Sequence, residues 1–316
     1  MLRLEAAHAM SPHVHSHPLP AGAPARPEGE LARLRAVLVL TAVFMVVEVV
    51  GGITSGSLAL LADAGHMLAD VAAIALALLA LRLARRPANL EKTYGYVRLE
   101  ILAALVNGAA LFLIAGLIAW EAWRRLQNPV AVDGPVLMAV ATGGLIVNVV
   151  AARLLHGHAG SSLNTRAAYL HVLGDLIGSV GALAAGAIVW ATGWAAADAI
   201  VSVLIAGLIL VGAWRVVREA TDVLLEAVPP HVDLAQVLED LRGVPELDQI
   251  HDLHVWTLTS GFVALSAHAV IDDPYRQGAV LEEVRRRLRG YGIEHVTLQL
   301  EPRALVQVRT ARESKG

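Results

Sequence analysis

Hydrophobic positions fall into six long runs: Ala36–Ile53, Leu58–Leu83, Leu99–Trp120, Gly134–Leu155, Ala167–Trp190 and Ala196–Ala213. Each is about the length a helix needs to cross roughly 30 Å of hydrocarbon, so the pattern predicts six transmembrane helices over residues 31–215. After Pro229–Pro230 charged residues become common and the periods short, which marks a second domain. Leu234–Leu241 reads as a short helix, and Gln249–Thr259 and Phe262–Ile271 as strands joined by a turn at Ser260–Gly261. A charged amphipathic helix over about Pro274–Arg289 and a last strand over about Ile293–Glu301 complete an αββαβ order. That order suits a small α+β sheet domain with helices on one face. The expected fold class is an α-helical membrane protein: six transmembrane helices followed by a small cytoplasmic domain. The expected divisions are a disordered His-containing tail (1–30), the membrane domain (31–215), a linker (216–230), the small domain (231–305) and a disordered tail (306–316).

Charge decides orientation, because cytoplasmic loops carry the excess of Lys and Arg. With the N-terminus inside, the inner side collects Arg26, Arg33, Arg35, Arg82, Arg85, Arg86, Lys92, Arg98, Arg153, Arg166, Arg215 and Arg218, while the outer side holds Arg124 and Arg125. Both termini are therefore expected in the cytoplasm. Composition agrees with a membrane protein: 56% of residues are hydrophobic and 17% charged, with a mean hydropathy of +0.58. There is no Cys, so any metal site must use His, Asp, Glu or backbone. A net charge of -3 and the lack of a recognition motif exclude a nucleic-acid partner. The start of the chain lacks the basic, apolar and cleavage segments of a signal peptide.

Ionisable side chains inside membrane spans are costly and mark function. The second run holds Asp63, His66 and Asp70, and the fifth holds His171 and Asp175. His66/Asp70 and His171/Asp175 share the spacing H-x-x-x-D, which places both side chains of a pair on one helix face. His66 lies about nine residues, or ~14 Å, from Ser57, and His171 about eight residues, or ~12 Å, from Leu163, so both pairs sit near the midplane. One such pair alone is as well explained by a hydrogen bond that glues helices together. Two identical pairs at matching depth favour four converging ligands. Two imidazoles and two carboxylates suit tetrahedral Zn²⁺ at roughly 2.0–2.2 Å. Without sulfur the set disfavours Cu(I), whereas Cd²⁺, Co²⁺ and Ni²⁺ are compatible cargoes.

Four ordered motifs, L-A-L-L-A-D-A-G-H-M-L-A-D (Leu58–Asp70), Y-G-Y-V-R-L-E (Tyr94–Glu100), H-V-L-G-D (His171–Asp175) and H-D-L-H-V-W-T-L (His251–Leu258), resemble the cation diffusion facilitator family from about Leu31 to Pro302. The resemblance implies a six-helix membrane domain, a cytoplasmic metallochaperone-like (ferredoxin-like) domain, a homodimer and exchange of metal for protons. The two-His, two-Asp quartet resembles that of zinc-preferring members. In the soluble domain, His251, His268 and Glu301 match zinc-binding positions of similar proteins, with His295 and Gln299 as additional candidates. His254 would lie on the opposite strand face from His251 and, with Trp256, pack against helices or the partner subunit. A third family site, in the loop after the second span, depends on His and Asp residues that Arg82–Arg98 lacks. Arg98 and Glu226 match a charge pair that ties the third span to the segment entering the soluble domain.

Glu48 in the first run is a further intramembrane carboxylate without an assigned role, and Asp63 is an accessory candidate near the quartet. His156 and His158, together with the tail residues His8, His13, His15 and His17, could collect metal on the cytoplasmic side. The reading that follows is a zinc efflux transporter in the lipid bilayer, of a bacterial inner membrane, that exchanges Zn²⁺ for protons by alternating access, with a second Zn²⁺ regulating it from the soluble domain. The competing reading is a membrane-bound metal sensor without transport, for which the chain carries no kinase, nucleotide-binding or DNA-binding segment to transmit a signal. A metalloenzyme reading lacks H-E-x-x-H and any nucleophile constellation.

Overall fold

The computed structural model describes residues 28–84, 86, 88–156 and 163–303. Six helices are long and apolar enough to cross a membrane: α1 Glu28–Ser55, α2 Leu58–Ala84, α3 Leu99–Gln127, α4 Gly134–His156, α5 Leu163–Thr192 and α6 Ala196–Leu224. The bilayer offers no water to backbone amides and carbonyls, so each apolar run closes its own hydrogen bonds as a helix. Leu38, Val43, Leu113, Leu117, Ile146, Ile177 and Leu204 point outward from the bundle, as residues bathed in lipid do. Helix contact inside is made by small residues. A Cβ on Gly108 of α3 would meet Val217 Cγ2 of α6 at 2.5 Å, and one on Gly186 of α5 would meet Met138 Cγ of α4 at 2.7 Å. α3 packs chiefly on α6 and α4 on α5, while α2 runs between the two pairs.

Two boundaries differ from the sequence expectation. The first helix begins at Glu28, inside the stretch expected to be disordered, and α6 continues to Leu224, through residues 216–224 of the expected linker. Hydropathy marks where a helix leaves the hydrocarbon, but the polar residues of Arg215–Leu224 still form helix, and extending an existing helix is cheap. The expected tail residues 306–316 lie outside the described residues.

The small domain comprises α7 Leu234–Arg242, β1 Leu247–Thr259, β2 Phe262–Ile271, α8 Gln277–Leu288 and β3 Ile293–Pro302. The order is the expected αββαβ. β1 pairs antiparallel with β2, and β2 pairs parallel with β3, in the sheet order β1-β2-β3. Asp233 caps α7 by accepting hydrogen bonds from the Ala235 and Gln236 amides. Val237 and Leu241 of α7 and Val280, Val284 and Leu288 of α8 bury against Val255, Leu265, Ala267, Ala269 and Ile293 of the sheet. Both helices thus cover one face. The other face carries His268, Gln299 and Glu301.

Candidate metal centres

In the membrane bundle, α2 and α5 bring their two H-x-x-x-D pairs together. His66 Nε2 lies 3.6 Å from Asp70 Oδ2 and 3.8 Å from Asp175 Oδ1. His171 Nε2 lies 3.3 Å from Asp70 Oδ2 and 3.6 Å from Asp175 Oδ2. Every imidazole therefore faces both carboxylates. The edge of a tetrahedron with metal–ligand bonds of about 2.0–2.1 Å is about 3.3–3.4 Å, close to these separations. The ligand-type atoms of His66, His171 and Asp175 lie within 4.8 Å of one another, and Asp70 joins them through its contacts with both histidines. Two polar atoms of the quartet, His66 Nδ1 and Asp70 Oδ2, are buried without a hydrogen-bond partner. An orphaned buried atom is costly, and a cation held between these side chains would give Asp70 Oδ2 a partner.

Exposure grades across the quartet. Asp70 and His171, nearer the end that carries the small domain, are 30% and 44% exposed, against 22% and 7% for His66 and Asp175. A cavity of about 280 Å³ adjoins the site, lined by Asp63, His66, His171 and Asp175 and walled by Leu111 of α3 and Ile209 of α6. Asp63 is buried, and its carboxylate lies alongside Gly178 of α5. Glu48 of α1 is buried too, with Oε2 unpartnered and Oε1 beside Gly144 of α4. Asn148 of α4 donates to Ser179 Oγ at 3.1 Å in the same interior. Neither residue stands out in the sequence, where a lone amide or hydroxyl in an apolar run gives little signal.

The second cluster is on the open face of the sheet. Strand register sets His251 opposite His268, and His268 opposite Gln299. His268 Nδ1 lies 3.1 Å from Glu301 Oε1, and His251 Nε2 lies 3.8 Å from Glu301 Oε2. The ligand-type atoms of His251, His268 and Glu301 are all within 4.8 Å of one another. Gln299 Nε2 donates to Glu301 Oε1 at 2.9 Å, so Gln299 orients the carboxylate. His295 stands elsewhere: it pairs with Ala264, and its ring contacts Phe262 and Tyr94. His254 also departs from expectation. The strand is irregular between His251 and His254, and Asp252 there adopts φ 53°, so simple alternation fails. His254 is exposed and lies 2.9 Å from Asp252 Oδ1, rather than packing against helices. That hydrogen bond holds the Asp252 carboxyl below its usual range.

Polar contacts also join the start of α3 to the end of α6 and to the small domain. Arg98 Nη2 donates to Glu226 Oε1 at 2.9 Å, as the resemblance implied, and Glu226 takes φ 59° where the chain leaves α6. Glu100, two residues on, accepts hydrogen bonds from Thr259 Oγ1 at 2.6 Å and Ser260 Oγ at 2.8 Å. Its partners sit at the β1–β2 turn, a pairing with no local signature. His156 Nδ1 lies 3.1 Å from Tyr169 Oη, while His158 and the tail residues His8, His13, His15 and His17 lie outside the described residues.

Comparison with known proteins gives a family match to the cation efflux transmembrane domain over residues 34–225 and to the cation efflux protein cytoplasmic domain over residues 229–303. The zinc transporter ZitB of Escherichia coli is 45% identical over 295 residues, covering 92% of this chain and 92% of that one. A cadmium, cobalt and zinc/H(+)-K(+) antiporter of Bacillus subtilis is 41% identical over 266 residues, covering 83% of this chain and 86% of the relative. The solved metal-bound C-terminal domain of the CzcD transporter from Cupriavidus metallidurans is 40% identical and covers 22% of this chain and 99% of that one, with a TM-score of 0.21.

Proposed function

Because the chain belongs to the cation efflux family, whose members are transporters and not enzymes, we propose that it exports Zn²⁺ from the cytoplasm in exchange for protons, by alternating access at His66, Asp70, His171 and Asp175. The observation that carries this reading is the approach to within 3.3–3.8 Å of two imidazoles and two carboxylates contributed equally by α2 and α5. Oxygen and nitrogen ligands without sulfur suit Zn²⁺, and also Cd²⁺ or Co²⁺, the ions named for the Bacillus subtilis relative; Ni²⁺ is a compatible fourth cargo.

The greater exposure of Asp70 and His171, on the side of the small domain, supports a site that loads from the cytoplasm. An imidazole has an ordinary pKa of about 6.5, so protons and metal compete for the same nitrogen. Metal entering from the cytoplasm displaces protons inward. Once the bundle rocks, protons from outside displace the metal. Zn²⁺ is the substrate here, held for one half-cycle and released.

His251, His268 and Glu301 would hold a second Zn²⁺ as a resident regulator, with Gln299 steadying Glu301. Binding there would favour one arrangement of two cytoplasmic domains in a homodimer and so bias transport. The membrane is taken to be the bacterial inner membrane with both termini cytoplasmic, from the positive-inside distribution of Arg and Lys.

The test is zinc flux into proteoliposomes with and without an imposed pH gradient, for the wild type and Asp70→Ala. Gradient-dependent flux that vanishes in the variant supports antiport at this site. Zinc binding without flux in the wild type would replace the transporter with a metal sensor.

A further inference from the structure

At the end of the bundle away from the small domain, α6 presents a buried carboxylate to the start of α2. Asp198 is 1% exposed, in the first turn of α6. Its Oδ1 accepts hydrogen bonds from Ser57 Oγ at 2.5 Å and the Ala59 amide at 3.3 Å, and its Oδ2 accepts one from the Leu58 amide at 2.7 Å. Ser57 Oγ in turn accepts from the Leu60 amide at 3.2 Å. The opening amides of α2 are therefore capped jointly by their own serine and by a side chain some 140 residues away. A carboxylate suits this place, since the helix dipole and the unsatisfied amides favour negative charge.

The last turn of α3 closes the arrangement. Arg125 Nη1 lies 3.9 Å from Asp198 Oδ2 and donates to the Gly56 carbonyl at 2.5 Å, while its Nε donates to Glu121 Oε1 at 3.1 Å. Gly56, at φ 71°, makes the tight α1–α2 turn that brings this carbonyl to the arginine. Three helices and one turn thus meet on a single buried carboxyl group. Burial of a charge is tolerated only with such pairing.

We propose that Asp198 is a positioning residue for metal binding: it pins the outer end of α2 to α6 and α3, and so sets the depth at which His66 and Asp70 meet His171 and Asp175. The inference rests on the transport reading above. Eight residues of continuous helix, about 12 Å, separate Leu58 from His66. A helix that short transmits an axial shift at its cap to its ligands almost unchanged. The two ligand helices cannot hold the register by themselves, because α5 packs chiefly on α4 and touches α2 only sparingly. A tetrahedral site tolerates roughly ±0.2 Å in ligand distance, so freedom at the cap appears as lost affinity at the metal.

The chain contains no Cys, so a thiol pair can be introduced without background. Asp198→Cys is expected to raise the zinc KM by roughly 10–100-fold, the loss typical when a group that orients metal ligands is removed. Oxidising the double variant Ser57→Cys/Asp198→Cys to a disulfide restores the tether without the carboxylate, and the KM returns toward the wild-type value; reduction raises it again. A linked double variant as impaired as the single one, or an Asp198→Cys variant with wild-type KM, overturns the proposal. Asp198→Asn, which keeps shape and burial, gives a second reading should the cysteine variants fail to insert: a raised KM with the wild-type pH profile of flux supports positioning, and a shifted profile at unchanged KM overturns it. Wild-type flux in the same vesicles separates failure of this inference from failure of the transport reading.

Discussion

His171 Nε2 lies 3.3 Å from Asp70 Oδ2, nearer than either histidine lies to the aspartate one turn along its own helix, where both separations are 3.6 Å. The strongest approach in the quartet therefore runs between helices. Each carboxylate serves both imidazoles, and the site exists only while α2 and α5 stay in register.

Removing any one member should disable the whole. His66→Ala, Asp70→Ala and Asp175→Ala are each expected to weaken zinc binding by at least the ~10–100-fold that loss of a supporting partner alone costs, with flux lost alongside. Calorimetric titration and vesicle flux measure this. Full exchange in any of the three would reject the assignment.

The cytoplasmic cluster should separate binding from transport. In His251→Ala/His268→Ala the soluble domain is expected to lose its zinc while flux at saturating zinc persists, and the rate should no longer rise with regulatory zinc. Binding stoichiometry and flux against zinc concentration check the two halves. An unchanged zinc dependence would assign the cluster a structural role.

The contacts of Arg98 and Glu100 differ in strength. Arg98 and Glu226 are 37% and 58% exposed, so Glu226→Ala should cost no more than about 1 kcal/mol. Glu100 holds two hydroxyls of the β1–β2 turn, and hydrogen bonds to a charged group are worth roughly 1.5–3 kcal/mol when well formed. Glu100→Ala is expected to speed amide hydrogen exchange at Ser260–Phe262 roughly tenfold, a loss of about 1.4 kcal/mol, while α7 and α8 stay protected. Equal protection in variant and wild type would show that the turn is held by other means.

Helix α8 should loosen in acid. The Glu283 carboxyl is lowered to about 2 by hydrogen bonds from Arg286 and Arg287, against an ordinary value of 4.5. A lowered folded-state value means that its contribution is fully present above pH 4.5 and is lost as pH falls from there toward 2. Hydrogen exchange in α8 should quicken across that window in the wild type and show a smaller pH dependence in Glu283→Gln. An identical acid response would show that other carboxylates govern it.

Much of this molecule is legible in one dimension. Six apolar runs separated by turns compel six membrane helices, because backbone groups in hydrocarbon must bond within their own segment. The H-x-x-x-D spacing places each ligand pair on one face by helical period alone. The strands Gln249–Thr259 and Phe262–Ile271 and their Ser260–Gly261 turn stand out because alternation and turn chemistry are local.

What the tertiary structure alone decided is which distant residues meet. Periodicity orients His66 and His171 on their helices but carries no information on whether those faces oppose each other; packing of α2 between α3, α6 and α5 does that. Asp198 lies at the start of the sixth apolar run, and only the crossing of α6 with the α1–α2 turn makes it the cap of another helix. A β-irregularity at Asp252 turns His254 to solvent, and the parallel register with β2 sets His295 opposite Ala264, four residues along the strand from His268. Local pattern sets what each segment is. The site is made by contacts across more than a hundred residues, whose energies belong to pairs of surfaces and to no single stretch of chain.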